Sequence, residues 1–344
     1  MKSKKRVALI GGAGFIGHNL AVALKEEGHD VHVIDSLNVN NLLAFYPTDK
    51  ETLNRDLYLK MITQRLDLLR EHDVPLYVQD ARDYHQLSHV LDRIDPHVIV
   101  QLAAVAHADR SNKDPYSTFD HSLRTLENAL DFARVRAEHF VYFSSSMVYG
   151  NFTADHVTEE TPCNPLGIYG ALKYSGEKIV IAYNQVFDLP YTIVRPSALY
   201  GERCVSRRVG QVFVENAING GDIRVKGDGS DRLDFTYIAD LVHGISCVIN
   251  NENAKNEIFN LTYGESRSIG ELAQVMIDHF PDLTVMYEPK DKLTPSRGTL
   301  SVHKARERIG YAPQHALDTG FQKYIAWYKS VLGRSRADLV GAAI

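Results

Sequence analysis

Three features of this 344-residue chain predict an α/β protein: a doubly wound parallel sheet with a smaller C-terminal α/β substrate domain. Short apolar runs alternate with helical patterns as far as residue 195, as strand–helix–strand units do. The first apolar run ends in the glycine cluster Gly11-Gly-Ala-Gly-Phe-Ile-Gly17. After Arg195-Pro196 the glycines spread out, helices shorten and the alternation loses its regularity.

Each element follows from its own pattern. Residues 7–10 are a continuous apolar run, expected of a strand buried on both faces. Residues 15–27 carry apolar side chains at helical spacing (Ile16, Leu20, Ala23, Leu24) and stop at Gly28. A second strand at 31–34 ends in Asp35. The link from 36 to 74 is long for a connection and contains a helical pattern from about 50 to 71, which marks it as an elaboration of the fold. Beyond it come strands at 76–78, 97–102, 140–143 and 191–194, and helices at 84–94, 115–136 and 168–187. Residues 1–195 are therefore expected to form the nucleotide-binding domain, with parts of 232–265 returning to it. Residues 196–330 form mainly the substrate-binding domain, and 331–344, rich in Arg, Ser, Gly and Ala, a flexible tail.

Bulk composition excludes several classes of function. The formal net charge is −5, so no polybasic surface for nucleic acid or anionic membrane is expected. Cys163, Cys204 and Cys247 are scattered without CxxC spacing, which argues against a disulfide framework or a zinc site and for a reducing compartment. No run approaches the roughly 20 apolar residues of a membrane helix. The expected location is the cytoplasm, and no metal is expected.

The glycine cluster satisfies G-x-G-x-x-G between a strand and a helix. There the glycines permit a tight turn, close backbone approach to a pyrophosphate and close helix–strand packing, while the helix N-terminus attracts the anion. This is the Rossmann-type arrangement. Asp35 follows Gly17 by 18 residues at a strand end, where a carboxylate accepts from the ribose hydroxyls and repels a 2′-phosphate. The expected cofactor is NAD, held by Gly11, Gly14, Phe15, Ile16, Gly17 and Asp35. Asp80, with Ala81, follows the third strand within reach of the adenine. Leu102, Ala103 and Ala104 end the fourth strand with small side chains that admit the cofactor.

Tyr169 and Lys173 stand four apart in a helical pattern, so the phenol and the ammonium share one face. A fixed ammonium beside a phenol favours the phenolate and suits it to proton transfer. Upstream, strand 140–143 runs into Ser144-Ser-Ser-Met-Val-Tyr-Gly150, which sets hydroxyls at the C-terminal sheet edge.

With these residues the chain resembles the extended short-chain dehydrogenase/reductase family, in its nucleotide-sugar epimerase and dehydratase branch. The resemblance covers nearly the whole chain, through Arg195-Pro-Ser-Ala-Leu-Tyr-Gly201, Gly227-Asp-Gly229 and Asp234-Phe-Thr-Tyr-Ile-Ala-Asp240. It implies that Tyr169 is the base toward a sugar hydroxyl, that Lys173 assists it and binds the nicotinamide ribose, and that Ser145 orients the sugar oxygen. Pro196 is implied at the cofactor and Ser146 at the sugar. Dehydratases of the branch carry Asp-Glu where this chain has Ser146 and Met147; decarboxylases carry Glu at Met147, and 3,5-epimerases a Cys in this turn. What remains needs only hydride transfer and one base: 4-epimerisation of a nucleotide sugar through a 4-keto intermediate. A dehydrogenase releasing a keto product uses the same residues, an atypical decarboxylase or dehydratase of the family is the other enzyme alternative, and an NAD-binding regulator needs only the dinucleotide half.

On the substrate side the chain departs from the family pattern. Relatives place a phosphate-binding Arg two residues before the aromatic of Arg-Asp-Phe; here that position is Leu233, with Arg232 one place earlier. Such a shift in an extended segment reverses the side chain's direction. Arg297 matches a second phosphate-proximal Arg. His107, with Asp109, Arg110 and Ser111, follows the fourth strand toward the sugar, while Arg203 and Cys204 lie near the nucleotide. The helices at 115–136 and 168–187 carry more apolar surface than one core-facing stripe needs, and the family dimerises through such a pair as a four-helix bundle.

Overall fold

The computed structural model describes residues 4–46, 54–105, 108–289 and 295–341. Its centre is a seven-stranded sheet: β1 (Arg6–Ile10), β2 (Asp30–Asp35), β3 (Leu76–Val78), β4 (Val98–Gln101), β5 (His139–Phe143), β6 (Tyr191–Arg195) and β7 (Glu257–Asn260), in the order 3-2-1-4-5-6-7. Every neighbouring pair is parallel. The chain reverses direction across the sheet between β1 and β4. In open α/β sheets that is where a crevice opens at the strands' C-terminal ends.

Period-two alternation along β1 divides the core. Val7 and Leu9 join the cluster under helix α1 (Phe15–Glu26), α2 (Arg55–Glu71) and the helix Ile238–Ile249. Ala8 and Ile10 join the opposite cluster, under α3 (Tyr84–Ile94), α4 (Thr125–Arg136) and α5 (Gly167–Phe187). The first cluster continues without a break into the C-terminal half through Phe213, Phe235, Met276 and Phe321. That half holds two-residue to four-residue strand pairs and, besides Ile238–Ile249 and the short helix His303–Ile309, the helices α6 (Val209–Ile218), α7 (Ile269–His279) and α8 (Leu317–Gly341). Ser268 and Glu271 form a reciprocal capping box that starts α7.

Three elements differ from expectation. The helix over 115–136 is interrupted: Pro115–Phe119 is followed by a π-helical stretch, Asp120–Arg124, before α4. The wider turn leaves His121 and Thr125 on the wall of the central groove. In the long link a short helix, Leu42–Phe45, comes first; the expected helix begins at Arg55, and the earlier part of its pattern lies outside the described residues. The expected tail, 331–344, is helical as far as Gly341, the end of α8, and 342–344 lie outside the described residues. Arg, Ala and Leu in 334–340 are good helix formers, and no proline interrupts them.

Candidate active site

Gly11 leaves β1 with φ +82, the left-handed region where a side chain is strained. A Cβ there would stand 2.6 Å from the Ala103 amide nitrogen, so this glycine lets the loop lie against the end of β4. At Gly17 a Cβ would come 2.4 Å from the Gly12 Cα, so α1 can seat directly on the turn. Asp35 closes the loop from β2: its carboxylate accepts from the Ala13 amide at 3.0 Å and the Leu37 amide at 2.7 Å. Burial raises its pKa, opposed by those two bonds and by Arg65.

Gly11, Gly14, Phe15, Ile16, Gly17, Asp35, Asp80, Ala81, Leu102, Ala103 and Ala104 all line one groove. Asp80 is clamped by its near neighbour Arg82, with Nη2 to Oδ2 at 2.7 Å, and hydrogen bonding from Arg82 holds its pKa low. The groove opens past Ile16, Leu102 and Ala104 into a second cavity of about 390 Å³.

Ser145, Ser146, Tyr169, Lys173, Pro196 and Arg297 meet in this second cavity. Ser145 ends the extension of β5 and caps the turn Ser146–Tyr149, its Oγ accepting from the Met147 amide at 3.2 Å. The hydroxyl proton is thereby left to donate elsewhere. Gly170 lets α5 approach this turn, since a Cβ there would sit 2.9 Å from the Met147 carbonyl oxygen. Tyr169 and Lys173 face the cavity from α5, and the Lys173 Nζ donates to the Phe143 carbonyl at 2.6 Å. Burial pushes the Lys173 pKa down to about 8, against the attraction of Glu177.

Sequence reasoning missed the group that supports this arrangement. Glu177, one turn beyond Lys173, accepts from Arg195 at 2.9 and 2.7 Å and from the Ser144 hydroxyl at 2.5 Å. Arg195 also donates to the Tyr149 hydroxyl at 2.9 Å, which donates to Asn260 at 2.8 Å. The ion pair is 3% and 1% exposed, so loss of either partner would strand a buried charge. Two signals were present: Glu177 is four residues after Lys173, and Arg195 is a charge inside an apolar strand.

On the substrate side the structure separates the two candidate arginines. Arg232 does not line the central cavity. It donates to the Ser266 hydroxyl at 3.0 Å and to the Ser266 carbonyl, in a separate outer hollow. Its place in the pair Arg232–Leu233 with Arg267–Ser268 turns it outward, as the one-residue shift implies. Arg297 lines both spaces and donates to the Met147 sulfur. Burial, then the charge of Arg208, pushes its pKa down to about 10 against Tyr169. Arg207 and Arg208, at the start of α6, line the cavity and were not anticipated. Arg203 faces away, donating to His18 at 2.9 Å, whereas Cys204 lines the cavity. His107 lies outside the described residues, as do the side chains of Asp109 and Arg110; Ser111 is buried.

A dinucleotide groove continuous with a Ser–Tyr–Lys cavity defines the extended short-chain dehydrogenase/reductase class. The chain belongs to the NAD-dependent epimerase/dehydratase family, whose sequence model matches residues 7–262. It is 28% identical over 332 residues to the uncharacterized UDP-glucose epimerase YtcB of Bacillus subtilis, spanning 95% of this chain and 98% of that one. It is 25% identical over 349 residues to the UDP-N-acetyl-alpha-D-glucosaminuronate decarboxylase of Bacillus cytotoxicus, spanning 95% and 99%. Its fold is shared by UDP-glucuronic acid 4-epimerase from Bacillus cereus, solved in complex with UDP-glucuronic acid and NAD. The TM-score is 0.84 at 23% identity, with 95% and 99% of the two chains covered. The cofactor of the family is NAD. The groove fits it: Gly11 and Gly17 clear a backbone cradle at a helix N-terminus, and Asp35 stands at the end of the neighbouring strand.

Proposed function

We propose that the chain is an NAD-dependent nucleotide-sugar 4-epimerase acting on a UDP-sugar through a 4-keto intermediate. One observation carries the reading. Tyr169 faces a cavity whose described lining residues include no Asp or Glu, so this side offers no second carboxylate for dehydration or decarboxylation.

Gly11, Gly14, Phe15, Ile16, Gly17 and Asp35 would hold the adenosine and pyrophosphate, with Asp80 and Ala81 toward the adenine. Leu102, Ala103, Ala104, Lys173 and Pro196 would hold the nicotinamide end. When bound, NAD supplies the hydride acceptor and donor. Tyr169 takes the proton of the C4 hydroxyl as that carbon is oxidised, and gives it back to the oxygen once the keto sugar has turned its other face. Lys173 stabilises the phenolate that exists before the first transfer and is restored after the second. Ser145 donates to the C4 oxygen, its own oxygen being held by the Met147 amide.

Two coarser points accompany this. Tyr116, Phe119, Val135, Val186 and Phe187 are exposed on the 115–136 and α5 helices, which supports a homodimer through a four-helix bundle. No described helix is long and apolar enough to cross a membrane, and the scattered thiols support a cytoplasmic setting.

The test is NMR of UDP-sugars incubated with the purified protein without added cofactor. The expected product is the 4-epimer, with turnover lowered at least ~10³-fold by Tyr169→Phe while NAD remains bound. Accumulation of NADH with a keto or decarboxylated product would sink the reading.

A further inference from the structure

Residues 201–208 belong in sequence to the substrate side, yet they close the cofactor groove. Between Tyr200 and Val209 the chain forms neither helix nor strand. Val205, Ser206 and Arg208 line the dinucleotide groove together with Gly14, Phe15 and Ile16. Arg208 lines the substrate cavity as well. The segment is therefore a strap, and the two ligand spaces share it as a wall.

Its fastening crosses to the dinucleotide-binding side. Arg203 donates through Nε to His18 Nε2 at 2.9 Å and through Nη2 to Asn19 Oδ1 at 3.3 Å, both residues lying near the start of α1. The fully buried Arg65 of α2 donates through Nε to the Arg203 carbonyl at 2.9 Å and through Nη1 to the Asn40 carbonyl at 3.2 Å. His18 is also fully buried, and its Nδ1 donates to the Gly14 carbonyl at 2.8 Å. Burial, then the charges of Arg65 and Arg203, hold the His18 pKa well below its ordinary value, so the ring is neutral and Nε2 can accept. The acceptors in these bonds are an imidazole, an amide and backbone carbonyls, which hold a guanidinium less firmly than a carboxylate does. Arg203 and Arg207 have φ +62 and +51, the left-handed region, where a non-glycine residue persists only when its surroundings keep it there.

We infer that residues 201–208 are a gate over the dinucleotide groove, and that Arg203, bonded to His18, is the positioning residue that latches it. The inference rests on the epimerase reading above and adds a role to it. A hydride that leaves C4 must return to C4, so the groove has to keep the reduced cofactor while the keto sugar turns. A latched strap does so without any further contact to the cofactor.

The experiment follows NADH fluorescence by stopped flow on the full-length protein: entry into the cofactor-free form, and exit on chase with excess NAD. A gate slows entry and exit alike. Arg203→Met should therefore raise both rate constants about 30-fold and leave Kd within about threefold, whereas loss of an ordinary ligand contact acts chiefly on exit. Arg203→Lys, which can still donate to His18, should fall between parent and Arg203→Met. His18→Leu removes the acceptor of the same bond, so adding Arg203→Met to it should change either rate constant by no more than about twofold. Circular dichroism reports that the variants fold. Faster exit with unchanged entry overturns the inference and makes Arg203 a support for the bound cofactor alone. Unchanged rate constants in Arg203→Met overturn it as well, and so does a His18→Leu protein that behaves as the parent. The gate is read without substrate, so its failure is distinct from that of the epimerase reading, which shows as NADH released together with keto sugar by the parent.

Discussion

The two walls of the cleft are made of different material. The dinucleotide wall is backbone: a loop from β1, the end of β4 and a helix N-terminus, brought together where Cβ atoms are missing. The substrate wall is side chain. Guanidiniums and hydroxyls stand on short segments, and Arg207 itself sits in the left-handed region. A backbone wall tolerates little variation in its glycines and serves one ligand. A side-chain wall can be refitted to another sugar without disturbing the sheet beneath it.

Gly17→Ala is the sharpest way to break the first wall. Its Cβ would press on both the Cα and the carbonyl oxygen of Gly12 at 2.4 Å, and neither is a flexible side-chain end. Overpacking of this kind costs about 2–3 kcal/mol of stability. Lifting α1 off the loop should also weaken NAD roughly 100-fold, about 2.7 kcal/mol. Chemical denaturation and NAD titration check both. Gly28→Ala is the control: φ is +90, but nothing lies within 4 Å of the added carbon, so it should cost about 1 kcal/mol and leave NAD binding unchanged. If Gly17→Ala binds NAD within threefold of the parent, close helix–strand contact is not what forms this wall.

Lys173 stands where the walls meet, and function holds it there against stability. Its folded pKa, about 8, lies below the ordinary lysine value, because burial disfavours the ammonium. The folded state therefore pays for that charge at every pH below about 8, and the cost fades as pH rises toward 10.5. Below pH 8 it amounts to about 3 kcal/mol. Lys173→Met removes this cost but leaves the Phe143 carbonyl without its donor, which returns about 1 kcal/mol. The cofactor-free variant should thus be about 2 kcal/mol more stable than the parent at pH 7, with the advantage gone by pH 10.5, while turnover drops at least ~10²-fold. Denaturation curves at the two pH values give the sign. Glu177→Gln removes the attraction that supports the charge, so the alkaline limb of kcat/KM should move to lower pH.

What was legible in the sequence follows this same division. The glycine loop, Asp35, Ser145 and the Tyr169–Lys173 pair could be read because their geometry is local: a turn, a strand end, a helix face. The doubly wound parallel sheet followed from the alternation; the order of its strands did not. The Glu177–Arg195–Tyr149–Asn260 chain was not legible, because it joins α5, β6, the catalytic turn and β7 across 111 residues between its outermost bonded pair. Arg207 and Arg208 gave no periodic signal, since the loop that aims them has no regular pattern. The π-helical stretch at Asp120–Arg124 was hidden for another reason: residue composition does not distinguish a π-turn from the α-helical turns on either side of it.

Arg232→Ala has the smallest expected effect, and it tests the second wall by subtraction. Resemblance alone would set an arginine of this segment on the phosphates. Here Leu233 occupies the inward position, and Arg232 points to Ser266, with Glu271 at 3.9 Å. Its side chain is 49% exposed, so the pair with Glu271 is solvent-screened and contributes a few tenths of a kcal/mol at most. Replacing Arg232 should leave KM for a UDP-sugar within about twofold and lower Tm by roughly 1 °C. Loss of a diphosphate ligand would instead raise KM tenfold or more, since a charge-assisted bidentate contact is worth more than 1.4 kcal/mol. A tenfold rise in KM with kcat unchanged would mean that the strand pair at Arg232–Leu233 rotates when substrate arrives. The substrate wall would then be assembled by its ligand, and the guanidiniums facing the cavity at rest would be an incomplete set.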